Sequence, residues 1–191
     1  RDTGESALVS RSFQSPAEAG SSPAHRWVTG ALSADGGTVA FTSTATNLVD
    51  GDRNCLADAF LYDNGRIGHF YTLPPCRFLD TRLPQDGPAL ASGQTALLHL
   101  YNTCGIPETA KAVAVNVTAV GATGQGHVAF YRGDAVAAPG TSTLSFRPGL
   151  TRASFAILPL AANADGSLKV VPSVTGGGTV HVLIDVAGYF E

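Results

Sequence analysis

The segment Asp50-Gly51-Asp52-Arg53-Asn54-Cys55-Leu56-Ala57-Asp58 places oxygen side chains at its first, third, fifth and ninth positions. A hard cation such as Ca2+ takes roughly six to eight oxygens, carboxylates and a backbone carbonyl among them. This spacing lets a tight loop wrap Asp50, Asp52 and Asn54 round one point, with the Leu56 carbonyl and Asp58 closing the shell. The sixth position of such loops favours glycine and here holds Cys55. No Glu stands at the twelfth, where residue 61 is Leu. Two other readings fit the same residues: an Asx-rich turn whose carboxylates cap backbone N–H groups, and a transition-metal site that uses Cys55. The expected role of a bound calcium is to stiffen the loop.

A second chemistry-bearing stretch is Pro75-Cys76-Arg77-Phe78-Leu79-Asp80-Thr81-Arg82. Cys104 lies in a turn-like segment, Asn102-Thr103-Cys104-Gly105-Ile106-Pro107. A Cys76–Cys104 disulfide would pin the entry segment to the strands that follow, and closing a loop of that length stabilises by roughly 3–4 kcal/mol. The alternative is two unrelated buried thiols. Cys55 is then the odd cysteine: free, next to a metal, or paired between molecules. Arg77, Asp80 and Arg82 are expected to form a structural ion cluster that fixes the first strand, guanidinium suiting planar pairing better than ammonium. A site for a substrate carboxylate is the other reading.

The remaining candidates are weaker. His99, His127 and His181 each fall within an expected strand, but no local spacing brings them together as zinc ligands, so they read as partly exposed or core-edge residues. No Gly-x-Ser-x-Gly elbow is present. Glu is confined to Glu5, Glu18, Glu108 and Glu191, so a paired-carboxylate site would have to draw on Asp134, Asp165 and Asp185. Asp165 is better explained by its Asp-Gly turn. Asn116-Val117-Thr118 matches a glycan acceptor but lies inside a strand, which predicts a cross-strand or core asparagine. Trp27, Tyr131, Arg132 and Tyr189 could make a stacking surface for a sugar, with ordinary packing as the alternative.

The elements that must position these groups are strands. In the first part, Glu5–Ser12 alternates weakly, and Trp27–Ser33 and Thr38–Ser43 flank an Asp35-Gly36 turn, a strong hairpin signal. Asp58–Asp63 and Arg66–Leu73 flank Asn64-Gly65. This is a four-stranded meander the size of a propeller blade. Ala31–Ser43, Asn47-Leu48-Val49 and Asp58–Asp63 resemble a repeat of the TolB-type, WD-like β-propeller family over about residues 1–72. The loop at 50–58 resembles the calcium loops of integrin-type propeller blades and the first part of an EF-hand loop. A lone four-stranded blade cannot bury both faces. It is expected to pack on the second domain, or to pair with other copies, or to be cut from a longer chain.

Leu73-Pro74-Pro75 reads as a stiff linker, which divides the chain into a blade-like unit, 1–73, and a second domain, 74–191. Beyond it come eight expected strands: 77–81, 95–101, 112–120, 126–132, 142–146, 152–160, 167–172 and 179–190. Turns every 8–15 residues predict a β-sandwich or jelly roll. Pro75-Cys76-Arg77 with Asp80-Thr81-Arg82, Cys104-Gly105-Ile106-Pro107, and Asp185-Val186-Ala187-Gly188-Tyr189-Phe190 resemble a β domain of undefined function found at the C-termini of secreted bacterial proteins. That resemblance implies a secreted β module and supports the Cys76–Cys104 pairing, but supplies no active site.

Composition agrees with this reading. The 191 residues are 44% hydrophobic and only 14% charged, with 22 Gly, 11 Pro and a net charge of −3. Twelve Lys and Arg form no basic patch, which argues against a nucleic-acid surface. No run of about 18 apolar residues occurs, so no membrane-spanning helix is expected. A chain opening on Arg1 is expected to be a mature or trimmed product. The expectation is an extracellular, non-catalytic binding or adhesion module for a glycan or protein, with a calcium-stiffened loop. The alternatives are a self-assembling structural subunit whose copies complete one another's sheets, and an accessory part of a secreted hydrolase or an inhibitor.

Overall fold

The structure, a computed structural model, describes residues 12, 21, 31–32, 38–50, 56–63, 66–163 and 165–191. The described chain is all β with two short 3-10 turns, and it divides into two compact units, one through Phe70 and one from Tyr71 to Glu191.

In the first unit, β1 (Ala31–Leu32), β2 (Thr38–Ser43), β3 (Asp58–Asp63) and the start of β4 (Arg66–Asp80) form an antiparallel meander. Phe41 lies opposite Phe60, and Phe60 opposite His69. Phe41, Ala45, Leu48, Val49 and Phe60 make its buried cluster, the two phenyl rings stacked with centroids 5.7 Å apart. The strand expected over Glu5–Ser12, except for Ser12 itself, and both hairpin turns lie outside the described residues.

The expected linker is a correction. Leu73-Pro74-Pro75 is not a linker but lies inside β4, and the units part between Phe70 and Tyr71 rather than after Leu73. Proline breaks a ladder only where an N–H is needed. The pairing of β4 with β3 ends at His69, before the prolines, and both prolines are exposed. Their fixed φ suits extended backbone, so the strand runs through them.

The second unit is a two-sheet sandwich. One sheet has the order β4-β12-β7-β10, with β7 at Ala112–Val120, β10 at Arg152–Pro159 and β12 at Thr179–Phe190. The short β5 (Leu90–Ala91) pairs with β12; it lies in a Pro/Gly stretch expected to be loop. The other sheet has the order β6-β11-β8-β9, with β6 at Ala96–His99, β8 at Gly126–Arg132, β9 at Leu144–Phe146 and β11 at Ser167–Val174.

Alternation puts the core between the sheets. Val113, Val115, Val117 and Ala119 of β7 point inward beside Val180, Val182, Ile184 and Val186 of β12. Val128 and Phe130 of β8 and Leu168 and Val170 of β11 meet them from the other sheet. The register of β12 on β7 shifts between Val186 and Gly188, a bulge that leaves Ala187 over. The bulge reverses the alternation and sets Tyr189 opposite Val113 on the core face, where it stacks on Tyr71 at 5.2 Å.

Cys76 of β4 is bonded to Cys104, with Cα atoms 5.6 Å apart. The Cys104 turn is tight: Asn102, Cys104 and Gly105 all have positive φ. Asn102 N–H donates to the Ile106 carbonyl, and Ile106 N–H to that of Thr103 (both 2.9 Å).

Candidate functional site

The end of β4 organises the charged groups. Asp80 is 3% exposed and accepts four hydrogen bonds from two arginines. Arg82 grips it two-pronged, Nε to Oδ1 at 2.8 Å and Nη2 to Oδ2 at 2.7 Å, and its backbone N–H adds a third bond at 3.1 Å. Arg77 Nη1 donates to Oδ2 at 3.0 Å. Arg77 also turns Nε and Nη2 to the two carboxylate oxygens of Asp185 on β12. The backbone N–H of Asp80 in turn donates to Asp86 at 2.8 Å. Thr81 continues the tie to β12: its hydroxyl accepts from Val182 N–H at 2.9 Å, and its carbonyl lies 2.9 Å from His181 Nδ1.

Asp80, Arg77 and Arg82 therefore come together as the sequence predicts, and both guanidinium groups are occupied by the chain's own carboxylates. Asp185, one of the acids a paired-carboxylate site would have to draw on, is the second of those carboxylates. The hydrogen bonds from Arg82 hold the Asp80 carboxyl far below the usual carboxylate range, against the opposing pull of burial. The hydrogen bond to Asp185 raises the Arg77 guanidinium.

The sign of the pH dependence follows. Asp80 has a lower pKa folded than unfolded, so its contribution is complete above the ordinary Asp value near ~4 and is lost as pH falls below it. The melting temperature is expected to fall between about pH 4 and pH 2. Asp80→Asn, less stable at neutral pH, should lose less across that window. A parallel acid limb in the two proteins refutes the assignment.

The expected sugar platform is not assembled. Tyr131 and Arg132 lie on β8 and Tyr189 on β12, in different sheets, and Trp27 lies outside the described residues. The bulge turns Tyr189 into the core, Arg132 is paired with Asp134 at 3.0 Å, and Lys169 sits over the Tyr131 ring at 5.9 Å. Burial acts to raise the Asp134 carboxyl, but Arg132 and the Ala162 N–H outweigh it and the net shift is downward. Asp165 accepts from Ser167 N–H at 2.8 Å, as its turn requires. Asn116 stands between Asp185 and Phe155 on neighbouring strands, the cross-strand position expected of it.

The three histidines stay apart. His181 is in the β12 sheet; His99 and His127 lie opposite Ser167 and Ser173, at the two ends of β11. Of the expected calcium ligands, Asp50, Leu56 and Asp58 are described, and Asp52 and Asn54 lie outside the described residues, as does Cys55. Among the described residues, no three His, Cys, Asp or Glu gather as metal ligands.

The structure adds a cleft of about 370 Å³ at one end of the small sheet. Gln125, His127, Phe146, Arg147, Ser173 and Thr175 line it. It is formed where β8 begins and β11 and β9 end. Gly126 permits the approach: a Cβ there would meet the Ser173 carbonyl oxygen at 2.0 Å. Thr175 closes the floor, its N–H and hydroxyl both bonded to the Gln125 carbonyl at 2.9 Å. Sequence reasoning named His127 but not Arg147 or Ser173. The available signal was charge: between Asp134 and Asp165 stand Arg147 and Arg152, and no Asp or Glu.

No family model matches the sequence, and no curated protein matches it. Among solved structures, the coat protein of Tobacco streak virus is similar at a TM-score of 0.33 and 16% identity, over 63% of this chain and 85% of that one. Among the described residues, no helix is long and apolar enough to cross a membrane.

Proposed function

We propose that the chain is a non-catalytic binding module of the secreted type, which holds a glycan or a surface protein at the rim of a disulfide-braced β-sandwich. One observation carries the reading: where the hydrogen-bonding groups are spent. Asp80, Asp134 and Asp185 are committed to arginines of the same chain. The cleft at the end of the small sheet is instead lined by donors, Arg147, His127 and Ser173, that the described chain leaves unused. Such a rim suits recognition. The test is a glycan array and a pull-down on surface material, each run with and without calcium. Blank results in both, or turnover of a substrate abolished by one polar substitution, would overturn the reading.

Calcium belongs to the proposal through Asp50, Asp52, Asn54, Leu56 and Asp58. Melting curves with calcium and with chelator test it. A site at about 100 times its dissociation constant adds roughly 2.7 kcal/mol, and identical curves remove it.

A second reading, assembly between copies, is favoured by β10. This strand pairs with β7 on one side and with no other described strand, and its Phe155 is 63% exposed. An open edge of this kind is a template for pairing. Light scattering that shows an oligomer reduced to monomer by Phe155→Lys would support it, and a monomeric wild type would exclude it.

A further inference from the structure

We propose that the cleft beside Arg147 is a subsite for an acidic saccharide, a pyranose carrying a carboxylate or a sulfate. The inference rests on the binding-module reading and names the ligand class.

The argument begins with unspent donors. Arg77, Arg82 and Arg132 each hold a carboxylate of the same chain. Arg147, just past the end of β9, makes no ion pair or hydrogen bond through its side chain among the described residues, and neither do His127 and Ser173. A guanidinium presents a planar fork that matches an oxyanion two-pronged. The nearest acids along the chain, Asp134 and Asp165, are engaged elsewhere, so no internal anion competes for Arg147. An anionic group therefore fits the Arg147 end of the cleft.

The rest of the lining specifies what carries the anion. His127 and Ser173, both in that lining, lie directly opposite one another on β8 and β11. Residues so paired stand about 5 Å apart on one face of a sheet. A hydroxyl and an imidazole side by side can each donate or accept, as the neighbouring hydroxyls of a sugar require. A volume of about 370 Å³ is at the lower end for ligand sites, room for one ring and part of a second. An open, polar cleft of this size suits a sugar better than an apolar ligand.

The experiment titrates the purified chain with D-glucuronate, glucose 6-sulfate, glucose and acetate, followed by calorimetry and NMR shifts. Wild type is compared with Arg147→Gln, His127→Ala and Arg152→Gln, a control outside the cleft. Expected is binding of one or both acidic sugars, at least tenfold tighter than glucose or acetate. Glucuronate alone assigns a carboxylate; the sulfate sugar alone assigns a sulfate. Arg147→Gln should weaken the acidic sugars about tenfold, His127→Ala should weaken them severalfold, and Arg152→Gln should leave them unchanged. Unaltered melting curves show that the variants are folded. Acetate binding as well as glucuronate, or equal loss in Arg152→Gln, overturns the subsite. Neutral-sugar or protein binding indifferent to Arg147 overturns it while leaving the binding-module reading intact. No ligand of any class sinks both.

Discussion

Replacing Cys76 and Cys104 by serine should lower the stability of the second unit by roughly 3–4 kcal/mol. The bond closes a loop of 28 residues, and the chain-entropy relation for that length gives about 3.6 kcal/mol at 25 °C. The native geometry adds to the expected loss. Leu73, Phe78 and Cys104 all pack against the main core, so the bond anchors a hydrophobic edge as well as shortening the free chain. For a domain of this size the melting temperature should fall by about 10 °C. Thermal melts with and without reductant check this. The reduced wild type should melt with the double variant, and the oxidised wild type well above both. A double variant that melts with the oxidised protein refutes the bracing role.

Gly166→Ala should cost about 3 kcal/mol, an effect of similar size from a single methyl group. Gly166 has φ +64, a conformation that costs an L residue roughly 1–2 kcal/mol. A Cβ would also lie 2.3 Å from Cγ of Tyr101 and 2.5 and 2.6 Å from its two Cδ atoms. The ring cannot easily retreat, because its hydroxyl donates to the Ala110 carbonyl at 2.8 Å. Overpacking of this sort costs about 1–3 kcal/mol more. Gly166 also accepts the Leu100 N–H at 3.1 Å, so a displaced turn disturbs the entry to the Cys104 loop. Urea unfolding of Gly166→Ala, Tyr101→Ala and the double variant gives the test. If the clash is the cause, the double variant loses less than the sum of the singles. Strict additivity would assign the whole cost to backbone conformation.

Much of this architecture was legible because strands announce themselves by period and turn. Val113, Val115 and Val117 alternate with Ala114 and Asn116, and Asp165-Gly166 marks a turn, so β7 and the start of β11 are found within a residue or two of their expected bounds. The ion cluster was legible because three of its members sit within six residues. Its fourth member was not: Asp185 is brought to Arg77 only by strand pairing across more than a hundred residues. Pro74-Pro75 misled because proline signals a break in sequence, whereas a strand tolerates it wherever no donor is required. The sugar platform would have needed one surface, but Tyr131 and Arg132 fall on β8 and Tyr189 on β12, and strand periodicity does not say which sheet a strand joins. The one-residue bulge at Ala187 also reverses which face Tyr189 occupies, and no rule of alternation anticipates an inserted residue. Arg147 was overlooked because an isolated cation in a Pro-Gly turn has no spacing to mark it; only its lack of an acidic neighbour distinguishes it.

The position of β12 has a kinetic consequence. This last strand lies between β4 and β7, and its partners include Asn116 and Val117, far back along the chain. The sandwich therefore cannot gain its central hydrophobic contacts until loops of some seventy residues have closed, an entropic toll collected before any reward. Domains dominated by such distant pairings assemble in milliseconds to seconds rather than microseconds. During that interval β7 offers a bare apolar ribbon to other molecules, so slow refolding and concentration-dependent losses should go together.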